Sequence, residues 1–309
     1  MLFKPFGFYK QAGEALADRI LDTYSGAVAG YSLRLLSKNY TGDAIEVTRT
    51  SDSATLDIGF DVDGNLDESA LTTFIGANTG VISKWYDQSG NSEDMVQATG
   101  AARPTIVSSG TLITQGGLPA IRFDGSSDFL KSTQTTNPFT LTTPISVVHA
   151  TYKNSTTYKA YETVIGSGAT GSSGTNNTHM VGFNFGNSGF VSGPTVGTDI
   201  WRPAGVEIGT TVSTNSRHLV GYYISNWSTH RSTGTSNIRL NGSDETVSAY
   251  GSFNPDTLNT QPLQMGVFDT ILAASYFAGD IQEILIWTTD LNADRVAIET
   301  NVNDYYSIY

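Results

Sequence analysis

The chain has 309 residues, enough for one large all-β domain or two ordinary ones. Acidic side chains outnumber basic ones by 29 to 17, giving a formal net charge of -12 that opposes attraction to a phosphate backbone, so nucleic acid is not an expected partner. There is no cysteine, which excludes disulfides, thiol catalysis and cysteine-based metal sites, and no run of about 18 apolar residues that would suggest membrane insertion.

The N-terminal stretch sets Phe3, Phe6, Phe8 and Tyr9 among Pro and Gly with no clean period, and Lys4, Pro5, Gly7 and Lys10 interrupt any signal-peptide core. It reads as an arm, with "GEALADRILDTY" as a short helix carrying Leu16, Ile20 and Tyr24 near one face. The expected division is therefore an arm and helix over 1–24 and a single domain over 25–309.

Apolar residues then recur at every second position, as in Ile45 and Val47 or Leu56, Ile58 and Phe60, which predicts strands joined by polar turns. "LDESALTTFIG" interrupts them as a helix capped at Asp67 and closed by Gly76. In "KWYDQSGNSEDMVQATG" a strand ends at Trp85 and Tyr86, and Asp87 to Asn91 form a turn whose side chains can bond neighbouring backbone.

After residue 115 the strand-like runs become regular: "PAIRFDGSSDFLKS", "FTLTTPISVVHATYK", "ETVIGSG", "HMVGFNFGN", "RHLVGYYIS", "SNIRLNGSDETV", "PLQMGVFDT" and "FAGDIQEILIWTTDL". Such spacing without long intervening helices predicts an all-β fold, a β-sandwich or jelly roll with a few short helices. "NADRVAIETNVNDYY" closes the chain as a helix, with Asn292 as its cap and an apolar stripe from Val296 and Ile298 to Val302.

Candidate chemistry is sparse. Asp61, Asp63, Asn65 and Asp67 alternate in "FDVDGNLDE" and form a weak Ca²⁺ candidate, but Gly64 comes early for an EF-hand loop and Thr72 stands where a bidentate Glu belongs. A turn at Asp63-Gly64 followed by a helix cap explains the same residues. No other cofactor is expected. His149, His179, His218 and His230 are scattered outside any metal-ligand spacing, and the Gly-rich "GSGATGSSGTNNT" lacks the Lys of a phosphate loop.

Glycoside hydrolysis needs two carboxyl groups flanking one bond, and Asp87, Asp124, Asp128, Glu162, Asp269 and Asp280 fall near strand ends where such groups could sit. Trp201, Trp227, Tyr158 and Tyr161, in polar and loop-like surroundings, could instead stack on sugar rings, whereas Trp85 and Trp287 lie in apolar runs and belong to the core.

"SGAVAGYSLRLL", "WYDQSGNSEDMVQA", "GLPAIRFDG" and "FAGDIQEILIW" together resemble the catalytic β-sandwich of family 54 α-L-arabinofuranosidases and, more broadly, laminin-G or concanavalin-A-like jelly rolls. The resemblance implies a concanavalin-A-like fold. In that family a His-Met-Glu run supplies the nucleophile; the matching residues here are His179, Met180 and Val181. The family's adjacent cysteine pair would fall near Glu162 and Thr163, and only the acid/base position is retained, as Asp269. A lone carboxyl without its partner is a poor glycosidase, so the expectation is a protein that is not an enzyme. An alignment slip that made Glu162 a displaced nucleophile would restore one.

Similar cysteine-free chains occur among phage structural proteins and bacterial surface proteins. The resulting expectation is a virion component, in capsid decoration, tail or fibre, assembled in the host cytoplasm. It would join other virion proteins through its N-terminal arm or a sandwich face, form a homo-oligomer, and adhere to host polysaccharide through Trp201, Trp227, Asn184 and Asp269.

Overall fold

A computed structural model describes residues 18–134, 143–154, 161–165, 180–185, 195–201, 205–225, 236–246, 248–251, 262–269 and 274–309; through 161–165, 180–185, 195–201, 205–211, 236, 248–251, 268–269 and 274–275 the description is of backbone alone. The aromatic arm, Tyr158, His179, Trp227, His230 and the Gly-rich run 166–178 lie outside the described residues.

Two layers of antiparallel strands make the fold. At the centre of one layer is Ala278–Trp287, paired on one side with Ala27–Ser32 and Ile121–Asp124 and on the other with Ile145–Lys153. Ser216–Ile224 and then Ser236–Leu240 extend that layer. The other layer runs from Thr55–Ile58 through Ile45–Arg49 and Gly80–Trp85 to Met95–Val96, Leu130–Ser132 and Gln264–Met265. It continues through Tyr161–Ile165, Met180–Phe185, Thr195–Trp201, Gly205–Thr211 and Ser248–Gly251.

Alternation along the strands explains the layering. Ile145, Val147, Tyr222, Ile224, Ile284 and Ile286 enter the apolar layer between the sheets together with Tyr31 and Trp85. Their neighbours Val148, Leu219, Tyr223, Leu285 and Trp287 emerge on the opposite face, where Ile298, Val302 and Tyr306 of the C-terminal helix Arg295–Tyr306 cover them. With both faces covered, the central strand reads as the unbroken apolar run "ILIW" rather than as alternation. Ile281 and Ile284 share a face although three residues apart, because the register slips at Gln282. The bulged Gln282 donates through Nε2 to the carbonyls of Gln115, Leu118 and Pro119.

The short helix Glu68–Ile75 has the expected ends: Asp67 accepts from the Ala70 N–H at 2.9 Å, and Gly76 closes it at φ +58°. The C-terminal helix begins later than Asn292. Asp294 is its N-cap residue, and the Asn292 amide oxygen accepts instead from Asn237 Nδ2 at 2.8 Å. Its buried face is Ile298, Glu299, Val302 and Tyr306, while Val296, expected in the stripe, is 55% exposed. Strands Thr195–Trp201, Gly205–Thr211 and Ser248–Gly251 had no sequence expectation, since Gly and Thr dilute their apolar period.

Candidate functional site

The corner that follows Trp85 is built from side chains that bond backbone. Asp87 accepts from the Gly30 N–H at 2.8 Å, the Ser89 N–H at 2.9 Å, the Ser89 hydroxyl at 2.6 Å and the Glu93 N–H at 3.2 Å. Gln88 donates to the carbonyls of Ser32 and Arg34 and accepts from the Leu36 N–H at 2.8 Å. Asn91 Nδ2 donates to the carbonyls of Ala27 and Val28. These bonds tie the corner to strand Ala27–Ser32 and its continuation, and with its lone pairs used, Asp87 has none left for a substrate. It is an architectural joint.

Other carboxylates are similarly engaged. Asp280 is fully buried against Arg122, with Nε to Oδ1 at 2.8 Å and Nη2 to Oδ2 at 2.9 Å, and accepts from Gln115. Asp124 gathers the N–H groups of Ser126, Ser127 and Asp128 in a tight turn. Although burial pushes the Asp124 carboxyl up, the bonds from Ser126 and Ser127 outweigh it and hold it well below the usual carboxylate range. Asp128 behind it is raised to about 7 by burial and then by the Asp124 charge.

Asp61 accepts from the N–H groups of Asp63 and Asn65, and Asp63 offers its carbonyl to Arg19. With Asp67 capping the helix, the Ca²⁺ candidates thus form a turn and a cap. Among the described residues no group of three or more His, Asp or Glu is placed to hold a metal ion. His149 is buried edge-on to Tyr222 at 5.8 Å between ring centres, and His218 Nε2 pairs with the Ser213 carbonyl.

Of the positions singled out for catalysis and sugar binding, Tyr161, Glu162, Val181, Asn184 and Trp201 fall on neighbouring strands of the second layer. Tyr161–Ile165 pairs with Met180–Phe185, Thr163 lying opposite Phe183 and Ile165 opposite Val181. Glu162 sits at the register shift between Tyr161 and Thr163. Strand Val267–Asp269 lies against Tyr161–Ile165, so the backbone brings the Glu162, Val181 and Asp269 positions into one neighbourhood. Tyr161 and Trp201 belong to strands rather than to loops, and Trp201 lies opposite Met180.

Register also separates these positions by face. Thr163 lies opposite both Met265 and Phe183, and Met265 enters the interlayer core, so Phe183 and Val181 fall on the core-side face. Asn184 and Met180 fall on the other face, and Trp201 falls there with its partner Met180. Asn184 and Met180 are about 13 Å apart along the strand at roughly 3.3 Å per residue, longer than one sugar ring.

Sequence reasoning missed one arrangement. Glu93, 7% exposed, lines a cleft of about 420 Å³ with Gly26, Ala27, Val28, Asn91 and Gln134. Its only signal was a position inside the corner motif.

Residues 22–125 match the model of the family described as alpha-L-arabinofuranosidase B, catalytic. An arabinofuranosidase complexed with arabinofuranosyl-alpha-1,2-xylobiose superimposes with TM-score 0.60 at 18% identity, covering 92% of this chain and 64% of its own. A GH54 α-L-arabinofuranosidase soaked with a cyclic sulfate inhibitor gives TM-score 0.60 at 15% identity over the same shares. The fold is that of the GH54 arabinofuranosidase β-sandwich. The chain spans just under two thirds of the length of those structures, and no curated protein matches its sequence. The family match contains the Asp87 corner and strand Ile121–Asp124 but ends before Glu162, Val181 and Asp269. Family-level sequence likeness therefore lies in the scaffold.

Proposed function

We propose that this chain is a non-catalytic carbohydrate-binding β-sandwich displayed on a phage virion. The reading is supported by Val181: where the resemblance of His179-Met180-Val181 to the His-Met-Glu run of the arabinofuranosidases puts the nucleophile, this sequence has an isopropyl group, which can neither attack an anomeric carbon nor stabilise its charge. The register puts the Trp201 and Asn184 positions on one face of these strands, which supports an aromatic and an amide as contacts for an oligosaccharide. Trp227 and Asp269 complete the proposed contact set. Loss of retention on a bound polysaccharide in Trp201→Ala and Asn184→Ala supports this placement, and unchanged retention in both overturns it.

The virion setting rests on the cysteine-free, acidic composition, which suits assembly in a reducing cytoplasm, and on the gain in avidity when weak sites are displayed in many copies. The N-terminal arm or a sandwich face would join it to other virion proteins as a homo-oligomer. Co-purification of the chain with intact virions tests this, and its recovery only as a free secreted monomer contradicts it.

A second reading, a furanosidase, is favoured by one observation: the register shift at Glu162 beside the Asp269 strand places two carboxylate-bearing positions on adjoining strands. It requires sugar release that either Glu162→Gln or Asp269→Asn abolishes.

A further inference from the structure

The two carboxylates of the corner, Asp87 and Glu93, are close in sequence but differ in what they leave open. Asp87 spends its acceptor capacity on four protein donors. Glu93 accepts one side-chain hydrogen bond, at Oε2 from the Ser132 hydroxyl, while its main chain is fixed by Asp87 below and by the Tyr31 hydroxyl on its carbonyl. Among the described residues nothing donates to Oε1, and that oxygen is not among the sealed polar atoms of the interior. It opens into the cleft lined by Gly26, Ala27, Val28, Asn91 and Gln134.

The rim has the same character. Asn91 commits Nδ2 to the carbonyls of Ala27 and Val28 at 2.8 and 3.0 Å, and Gln134 commits Nε2 to the Ser92 carbonyl at 3.2 Å. The Asn91 amide nitrogen is fully engaged, Gln134 keeps one N–H, and among the described residues no donor reaches either amide oxygen. The cleft thus presents acceptors, from Glu93, Asn91 and Gln134, above a floor of small apolar residues, and its occupant must supply several hydrogen-bond donors on a compact body that also has C–H surface. Hydroxyl groups of a neutral sugar meet that demand. An anionic ligand does not, because Asp87 and Glu93 stand at the site. A divalent cation is poorly served by one carboxylate, since Ca²⁺ takes about 6 to 8 oxygen ligands.

We propose that this cleft is a second saccharide subsite, in which Glu93 Oε1 accepts from sugar hydroxyls and Asn91 and Gln134 grip the rim. It rests on the carbohydrate-binding reading above but lies on different residues from Trp201 and Asn184. Burial raises the Glu93 carboxyl, the Ser132 bond opposes the rise and Asp87 adds to it; hydroxyl donors from a sugar would favour the charged form and bring the carboxyl back down.

The test is amide NMR of the full-length, isotope-labelled chain titrated separately with methyl α-L-arabinofuranoside, D-galactose and D-glucose, and with calcium chloride and free lysine as contrasting probes. Saturable shifts at Gly26, Val28, Asn91 and Glu93 with at least one sugar are expected. Glu93→Gln, which keeps a partner for Ser132, should weaken that binding about tenfold, the loss of one charged hydrogen bond, with its thermal unfolding midpoint verifying the fold. Sugar shifts confined to residues 161–201 would leave the main reading standing and overturn this subsite, as would equal affinity in Glu93→Gln. No shift with any sugar would overturn both. Cleft shifts with calcium or lysine but not with sugar would overturn the saccharide assignment.

Discussion

Arg34 and Glu283 meet in a two-pronged ion pair beneath the C-terminal helix, with Nε to Oε2 at 2.7 Å and Nη2 to Oε1 at 2.8 Å. Ser32 and Tyr306 share the same carboxylate, Asn301 takes a third bond from the guanidinium, and the Tyr305 ring stacks on it at 4.9 Å. One charged cluster therefore joins strand Ala278–Trp287, the segment after strand Ala27–Ser32 and the C-terminal helix.

Removing one partner leaves the other charged and buried. Glu283→Ala and Arg34→Ala should each lower stability by about 3 to 5 kcal/mol in urea unfolding, and the double change Arg34→Met with Glu283→Leu should lose much less. Equal losses in the single and double variants would show that packing rather than charge sets the cost.

The corner at Gln88 gives a second test, because its side chain satisfies the Leu36 N–H and two carbonyls while it is 2% exposed. Gln88→Ala should cost about 3 kcal/mol through orphaned backbone groups, with polysaccharide retention per folded molecule unchanged. Lost retention at full stability would make the corner a binding loop after all.

The raised Asp128 carboxyl predicts a pH dependence. Its folded value of about 7 exceeds the roughly 3.9 of an unfolded Asp, so between these limits the folded chain holds the extra proton. Stability from this group is full below about pH 4 and falls as pH rises through 7. Asp124, held low, has the opposite sense: its contribution is full above about pH 4 and is lost only in more acidic solution. Asp128→Asn keeps an acceptor for the Asp124 N–H and should flatten the melting profile from pH 4 to 7 and raise the midpoint at pH 8. A profile identical to the parent would contradict the assignment.

Much of the sandwich was legible because the first layer's strands are short apolar runs bounded by polar turns, with Val147 and Val148 buried on opposite faces, and because Asp67 and Gly76 mark both ends of their helix. Asn292 misled because a polar residue before a helix can as well bond a neighbouring strand, here through Asn237. Val296 misled because helical spacing does not tell which side the sheet lies on; the buried polar Glu299 holds Arg239 at 2.9 Å and takes the place expected of an apolar residue. The Glu93 cleft was hidden for a different reason. Its walls come from residues 26–28, 91, 93 and 134, and only the closure of the fold brings them together.

Incubation of the purified chain with plant, algal and bacterial surface polysaccharides, scoring retention and newly released reducing ends in the same tubes, bears most directly on a sandwich that holds sugar without cleaving it. Retention on at least one polysaccharide with no release is the result the proposed non-catalytic role predicts. Release that Asp269→Asn abolishes would contradict it and show that a second carboxylate, Glu162 foremost, completes a working active site.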